Sequence, residues 1–190
     1  MYMIDDREIV ANVLKGNYQA FELLVKQYQK LVYFVVFRLV KNKEDNEDIC
    51  QEVFIKVYNS LHRFAFESKL STWIATIAYH TAINYLKKYN KEVLSSYPED
   101  MDNYHFTTET PEYELEKKSE SEYIHHLIMQ MPVNYRTVVT LYHLNEFSCA
   151  EIQEITGIPE GSIKSYLFRA RQLLKDKMKK DIKFLQNERR

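Results

Sequence analysis

The residues between positions 160 and 180 carry the side chains best suited to chemistry in this 190-residue chain, and that chemistry is contact with DNA. Arginine and lysine bind phosphates and guanine edges, and an exposed phenylalanine can pack against a thymine methyl group. Side chains of these types lie together on one face of a predicted helix, namely Lys164, Ser165, Phe168, Arg169, Arg171, Gln172 and Lys175. A face of this composition predicts a helix that lies in the major groove.

A helix-turn-helix is predicted to position this face. Ser148 and Glu151 have the spacing of a capping box, in which each side chain bonds to an unpaired backbone N–H at a helix start. Gly157 suits the left-handed residue that ends a helix, and Pro159 suits the start of the next one. An apolar stripe lies opposite the basic face and consists of Ile163, Leu167, Ala170, Leu174 and Met178. The alternative is an ordinary helical hairpin whose charged face is only solvated.

The composition favours long helices, and it also bears on where the protein is located. Glycine and proline number only three and four, and both residues disfavour helix interiors. The chain lacks the roughly 18 consecutive apolar residues of a membrane span, and its first residues, including Asp5 and Asp6, are charged, unlike a signal peptide. We therefore expect a cytoplasmic protein without membrane insertion. Cys50 and Cys149 belong to no metal-ligand motif, so no disulfide, metal site or cofactor is predicted.

Periodicity divides the chain into three segments. Residues 1–91 and 121–190 show apolar residues at helical spacing, whereas residues 92–120 are rich in Glu, Ser, Thr and Asp and contain Pro98 and Pro111. Such a composition is typical of a flexible linker. The predicted fold is therefore all-α, with two helical domains joined by a flexible acidic linker.

Charge is segregated along the chain, although the total is only −1. Residues 92–123 hold ten acidic side chains and two lysines, which gives a net charge of −8. Residues 61–91 hold five basic side chains and one acidic one, and residues 160–190 hold ten and four, which gives +4 and +6. Two basic zones that flank an acidic one indicate a polyanion contacted at two places.

The first domain is predicted to contain a central helix through residues 31–40, which are apolar nearly all round. After an interruption, a further amphipathic helix follows, with Asp45 or Asn46 as its N-cap. Residues 62–72 lack a sustained period and predict a loop. The next helix places Ile74, Ala78, Thr81 and Tyr85 on one side.

With these motifs placed, the chain resembles the sigma factors of bacterial RNA polymerase, in particular the short, two-domain extracytoplasmic-function (ECF) group. Its second matching stretch contains DNEDICQEVF, which is similar to the D-x-x-Q-E-x-F signature of that family. The resemblance rests on four stretches in order, namely residues 20–40, 45–64, 71–88 and 131–174.

The resemblance implies that the signature helix docks on the clamp coiled coil of core RNA polymerase through Asp48, Gln51 and Glu52. These residues are spaced at i, i+3 and i+4, so they form one patch on a helix. A solvated helix face is the alternative for these three residues when they are considered alone.

The resemblance also assigns recognition of the promoter's minus-ten element to the first domain. The loop from Phe64 to Ser71 would capture an unstacked base, because stacking and edge contacts offset the energy of unstacking. Its contributing residues would be Phe64, Phe66, Ser68, Lys69 and Ser71, followed along the next helix by Trp73, Thr76, His80, Asn84 and Lys87. The alternatives are that Phe64 and Phe66 are core anchors and that Trp73 is buried.

For the C-terminal helix-turn-helix, the resemblance implies recognition of the minus-thirty-five element. The family's contacting positions correspond to Ser162, Lys164, Ser165, Phe168, Arg169 and Arg171. Two departures affect the hairpin, since Gln153 stands where the family usually has Ala and Thr156 where it usually has Leu. We expect these to loosen the hairpin or to shift its angle.

The resulting hypothesis is a dissociable, non-enzymatic initiation subunit. It would bind core RNA polymerase, direct it to specific promoter DNA and promote melting, and an anti-sigma factor is expected as a further partner. The main rival is a helix-turn-helix regulator that binds operator DNA without polymerase. A second rival is an anti-sigma-like scaffold that contacts only proteins, against which the basic recognition helix argues.

Overall fold

A computed structural model describes residues 5–40, 42–89 and 120–188, and all regular structure in these ranges is helical. The all-α prediction is confirmed. The helices form two regions that are separated in sequence by the predicted acidic linker. That linker, residues 92–120, lies outside the described residues except for Glu120, where a helix begins.

The first region is a bundle around one long helix. Its elements are α1 (Asp6–Leu14), α2 (Tyr18–Leu39), α3 (Lys43–Ser60), a 3₁₀ turn (Leu61–Arg63) and α4 (Leu70–Tyr89). Helix α2 packs against α1, α3 and α4, as the apolar run through residues 31–40 predicted. Fully buried side chains from three helices meet here, among them Leu24, Val32, Val53, Val57 and Ile74.

Side-chain hydrogen bonds fasten α1 to α2. Asp6 accepts from the Tyr28 hydroxyl at 2.7 Å and from Gln27 Nε2 at 3.0 Å. The apolar face of α1 is buried through Ile9, Val10 and Val13. Helix α1 is therefore a fixed part of the bundle.

Helix α3 begins earlier than predicted, so the proposed caps Asp45 and Asn46 were wrong. Asn42 is the N-cap, and its side chain accepts from the backbone N–H of Glu44 at 3.0 Å. This start puts Glu44 and Asp45 in the first turn, where the helix dipole favours acidic side chains. Asn46 is instead buried inside α3.

The second region contains the helix-turn-helix. Its elements are α5 (Glu120–Gln130), α6 (Val133–Val139), a π-helical turn (Thr140–Leu144), α7 (Cys149–Thr156) and α8 (Glu160–Glu188). Leu127, Val138, Ile152, Ile155 and Ile163 are fully buried. The turn between α7 and α8 is short, as the sequence predicted.

The two regions pack against each other along α2 and α4. Helix α7 lies on α4, and α6 lies on α2, so one cluster of buried apolar side chains runs through both regions. The buried guanidinium of Arg136 donates to the Leu39 carbonyl at 3.2 Å. The His125 ring stacks on Phe37, with 4.9 Å between ring centroids.

Candidate nucleic-acid interface

The helix-turn-helix has the capping residues and the glycine turn that the sequence predicted. Ser148 and Glu151 form the capping box, with Glu151 N–H donating to Ser148 Oγ at 3.2 Å and Ser148 N–H donating to Glu151 Oε2 at 2.8 Å. Gly157 adopts a left-handed conformation with φ of 74° and ends α7. A side chain with a Cβ would be strained at this φ.

The two departures from the family pattern make hydrogen bonds within the turn. Gln153 Oε1 accepts from the N–H of Glu160 at 2.8 Å, so Gln153 satisfies a free donor at the start of α8. Thr156 Oγ1 accepts from the N–H of Ile158 at 3.1 Å and donates to the Ile152 carbonyl at 2.7 Å. Gln153 therefore joins α7 to the start of α8, and Thr156 joins α7 to the turn between them.

The predicted recognition face of α8 is open to solvent. Its exposed residues are Lys164, Ser165, Phe168, Arg169, Arg171, Gln172 and Lys175, and Ser162 is half-buried. Phe168 is the most prominent of them, with 63% of its surface exposed. On the opposite side Ile163, Leu167 and Ala170 are buried, whereas Leu174 and Met178 are only half-buried.

Neighbouring side chains hold the cations of this face in place. Lys164 pairs with Glu160 at 2.7 Å, and this hydrogen bond raises the pKa of Lys164. Burial raises the pKa of the Tyr135 hydroxyl, and the nearby Arg169 guanidinium partly lowers it. Lys164 and Arg169 therefore each have a polar neighbour within the same region.

Arg171 has two partners that the sequence analysis missed. Its Nε lies 3.2 Å from Nε2 of His143, and its guanidinium lies 5.6 Å from the ring centroid of Tyr142. Burial, and then repulsion from Arg171, lower the pKa of His143. Both partners come from the π-helical turn, which no sequence pattern indicated.

The loop after α3 separates its two phenylalanines. Phe64 is buried, and its ring packs against Phe66 at 4.6 Å and Trp73 at 5.3 Å between centroids. Phe66 has a left-handed backbone with φ of 59° and is 38% exposed. The Arg7 guanidinium lies 5.0 Å from the centroid of the Phe66 ring. Phe64 is thus a core anchor, whereas Phe66 faces outward.

The remaining loop residues differ in exposure. Ser68 is half-buried, and Lys69 is exposed and pairs with Glu151 of α7 at 2.9 Å. Burial would raise the pKa of Glu151, but hydrogen bonds from Lys69 and Ser148 outweigh it, so the pKa is lowered. Ser71 is half-buried in the first turn of α4, because that helix begins at Leu70 and the loop is shorter than predicted.

The predicted stripe along α4 is open at its C-terminal end. His80, Asn84 and Lys87 are exposed, whereas Trp73 and Thr76 are half-buried. Trp73 is only partly exposed to solvent, because its ring packs on Phe64. The structure therefore brings the five residues onto one helix but leaves only three of them fully accessible.

The predicted polymerase contacts lie on the exposed ridge of α3. Asp48, Gln51 and Glu52 are all exposed. Gln51 faces an open groove of about 920 Å³ between α2 and α3, whose walls include Tyr33, Phe34, Phe54 and Ile55. Asp48 and Glu52 face a second groove of about 560 Å³ between α3 and α4, together with Asn84 and Lys88. The ridge thus separates an apolar groove from a polar one.

Comparison with known proteins decides the family. Residues 24–92 match Sigma-70 region 2, and residues 121–174 match Sigma-70, region 4. The ECF RNA polymerase sigma-E factor of Haemophilus influenzae is 35% identical over 185 residues, which cover 92% of this chain and 96% of that protein. This chain belongs to the ECF sigma factors. It is an RNA polymerase sigma factor that acts in transcription initiation, and the operator-binding alternative is not favoured.

Solved structures share the fold of this ECF sigma factor. CnrH, in a complex with the cytosolic domain of CnrY, matches 93% of this chain with a TM-score of 0.67 at 18% identity, over 98% of its own length. The sigma factor RpoE from Bartonella quintana, in a complex with the anti-sigma factor NepR, matches 84% with a TM-score of 0.65 at 20% identity, over 96% of its own length. These similarities extend across both helical regions.

Two further observations concern the described part of the sigma factor. No described helix is both long and apolar enough to cross a membrane. Within residues 5–40, 42–89 and 120–188, no group of three or more His, Cys, Asp or Glu side chains is arranged to hold a metal ion.

Proposed function

We propose that this sigma factor divides promoter recognition between its two helical regions. Residues 1–91 would form the domain that binds core polymerase and recognises and melts the minus-ten element. Residues 121–190 would form the domain that reads the minus-thirty-five element, and residues 92–120 would be the acidic linker. The observation that carries this proposal is the exposed face of α8, which follows the capped helix α7 in a helix-turn-helix.

The ridge of α3 is proposed to dock on core polymerase through Asp48, Gln51 and Glu52. The apolar groove beside Gln51 supports this assignment, because Tyr33 is 42% and Ile55 is 60% exposed. Contiguous exposed apolar side chains usually mark a protein interface. The groove would enlarge the contact beyond the polar patch that the family signature contains.

The minus-ten element is proposed to meet the loop and α4. Phe66 faces outward and offers its ring to an unstacked base, while Phe64 supports it from behind. Ser68, Lys69 and Ser71 would contribute polar contacts, and Trp73, Thr76, His80, Asn84 and Lys87 would lie along the DNA. Captured single-stranded bases would stabilise the open promoter, because a ligand shifts an equilibrium by its differential affinity.

The minus-thirty-five element is proposed to be read by Ser162, Lys164, Ser165, Phe168, Arg169 and Arg171. Phe168 would pack against a thymine methyl group, and Arg169 would bind a phosphate or a guanine. The half-buried Ser162 lies in the first turn of α8, where backbone N–H groups favour a phosphate.

The same proposal covers partners and location. The chain itself would catalyse no reaction, would act in the cytoplasm with the polymerase, and would be restrained by an anti-sigma factor. Support for such a partner comes from the relatives that were solved in complexes with CnrY and with the anti-sigma factor NepR.

Transcription in vitro tests the proposal. Core polymerase is incubated with and without the purified chain on a library of promoters, and transcripts are counted. We expect initiation at a restricted set of promoters only when the chain is present. Tight binding to a duplex without polymerase, and no stimulation of transcription, would contradict it.

A matched pair of variants tests the docking ridge. Asp48→Arg reverses a charge on the ridge of α3, and Glu22→Arg makes the same change on an exposed part of α2 outside the groove. We expect Asp48→Arg to weaken binding to core polymerase at least tenfold, an effect of the size that charge reversals at interfaces produce. Glu22→Arg should bind normally. Equal affinity for both variants would remove the ridge from the interface.

A further inference from the structure

We propose that Arg7, on the first helix, is a DNA-contacting residue of the minus-ten site. This inference rests on the proposed function and extends the site beyond residues 64–87. Arg7 also lies outside residues 24–92, the part that matches Sigma-70 region 2. The guanidinium of Arg7 lies over the exposed ring of Phe66, so the two side chains form one composite surface.

The position of Arg7 is set by the fold. Helix α1 buries Ile9, Val10 and Val13 and is bonded to α2 through Asp6, so Arg7 begins from a fixed backbone. Its own N–H donates to the side chain of Asp5 at 3.3 Å, which caps the helix. The side chain of Arg7 is exposed and reaches the loop from this anchored start.

The charges around Phe66 make Arg7 important for a polyanion. Lys69, the basic residue of the predicted loop, is paired with Glu151. Glu67, next to Phe66, is exposed and acidic and would repel a phosphate. Arg7 therefore supplies a positive charge at the outward-facing ring, among the exposed acidic side chains of Glu67 in the loop and of Asp5 and Glu8 beside it in the chain.

Neither member of the pair is favoured by its own backbone position. A left-handed backbone is strained for a phenylalanine, and glycine would adopt it freely. An arginine in the first turn of a helix is opposed by the helix dipole. The left-handed backbone of Phe66 and the position of Arg7 in the first turn of α1 place an aromatic ring and a cation on the same solvent-exposed surface.

The ligand that fits this pair is single-stranded DNA. Bases stack on aromatic rings and on the plane of a guanidinium, and the same guanidinium can bind the adjacent phosphate. Neither contact requires a particular base. Arg7 is therefore expected to contribute affinity for the melted strand more than sequence discrimination.

The test uses holoenzyme assembled from the full chain and core polymerase. The probe is a forked promoter DNA whose minus-ten element is single-stranded, and its affinity is measured over a series of salt concentrations. We expect Arg7→Ala to bind the fork about tenfold more weakly and to lower the salt slope by about 0.7, the value for one phosphate contact on a single strand. Arg7→Lys should restore the slope but not the full affinity, because lysine lacks the planar group.

Lys15→Ala is the matched control, since it removes an exposed positive charge at the other end of α1. It should bind the fork like the wild type. Arg7→Ala combined with Phe66→Ala should lose less affinity than the sum of the two single changes, because the residues act together.

Two results would overturn the inference. One is wild-type fork affinity for Arg7→Ala. The other is a loss of affinity with an unchanged salt slope, which would show that Arg7 only fastens α1 to the loop. Transcription by the wild-type holoenzyme reports separately on the proposed function, so a failure of one idea is distinguishable from a failure of the other.

Discussion

The two surfaces proposed to meet DNA are built in different ways. On α8 the side chains are exposed, and their charges are held by neighbours within the same region. At the loop before α4, Lys69 is paired with Glu151 of the other region, and α7 lies on α4. The first surface therefore depends on contacts within one region, whereas the second is partly covered by the other region.

This difference suggests an order of events. The surface on α8 would bind duplex DNA without rearrangement, whereas the loop surface would become fully available once α7 moved away from α4. Binding to polymerase and DNA would then supply the free energy that is needed to separate the two regions.

The largest difference is expected between the stability losses caused by removing a buried and an exposed phenylalanine ring. Phe64→Ala removes a buried ring and should lower the free energy of unfolding by about 3–5 kcal/mol. Phe168→Ala removes an exposed ring and should change it by no more than about 0.5 kcal/mol. Urea unfolding followed by circular dichroism measures both. Similar losses for the two variants would show that the reading face of α8 is also part of the core.

The same Phe168→Ala variant should lose promoter discrimination. Holoenzyme binding to duplexes with altered minus-thirty-five elements should lose discrimination at one thymine position, by no more than the roughly 1–3 kcal/mol that a mismatched base pair costs. Arg169→Ala should reduce the salt slope of duplex binding by about one. Binding to a fork that contains only the minus-ten element should remain unchanged for both. A matching loss on that fork would contradict the division between the surfaces.

Releasing Lys69 should have a smaller effect. Glu151→Gln removes the charge that pairs with Lys69, and exposed ion pairs contribute at most about 1 kcal/mol. Affinity for single-stranded minus-ten DNA should therefore rise by no more than about fivefold. Ser148→Ala is the control, because it removes a cap of α7 but leaves the carboxylate beside Lys69. A rise in both variants would point to the cap and not to the ion pair.

The smallest effect concerns pH and His143. Its pKa is lowered in the folded protein, so the unfolded chain takes up this proton first as the pH falls. Stability from this group is therefore complete above the ordinary pKa of 6.5 and declines below it. Between about pH 7.5 and 5.5, the melting temperature of the wild type should fall more than that of His143→Gln. An identical fall in the two proteins would exclude the contribution.

Local signals predicted the second region well. The capping box, Gly157 and the apolar stripe act over a few residues, so the sequence contains all the information that the turn requires. Gln153 shows the limit of this approach. Its departure from the family pattern suggested a looser hairpin, but its side chain bonds to the start of α8.

Contacts between distant residues could not be predicted. The pairing of Lys69 with Glu151 depends on how α7 docks on α4, and no pattern in either segment indicates a partner. The outward turn of Phe66 depends on one backbone angle. The cap of α3 was misplaced because several neighbouring residues are good caps and only the packing of the helix selects Asn42.

The buried guanidinium of Arg136 links the two helical regions. It donates to carbonyls on both sides of the junction, Met129 at 2.9 Å and Leu39 at 3.2 Å. If the regions separated, the Leu39 carbonyl would exchange this cationic donor for water, and Arg136 would leave a buried site in which two of its donors are satisfied. Arg136 therefore favours the arrangement in which both regions share one interior.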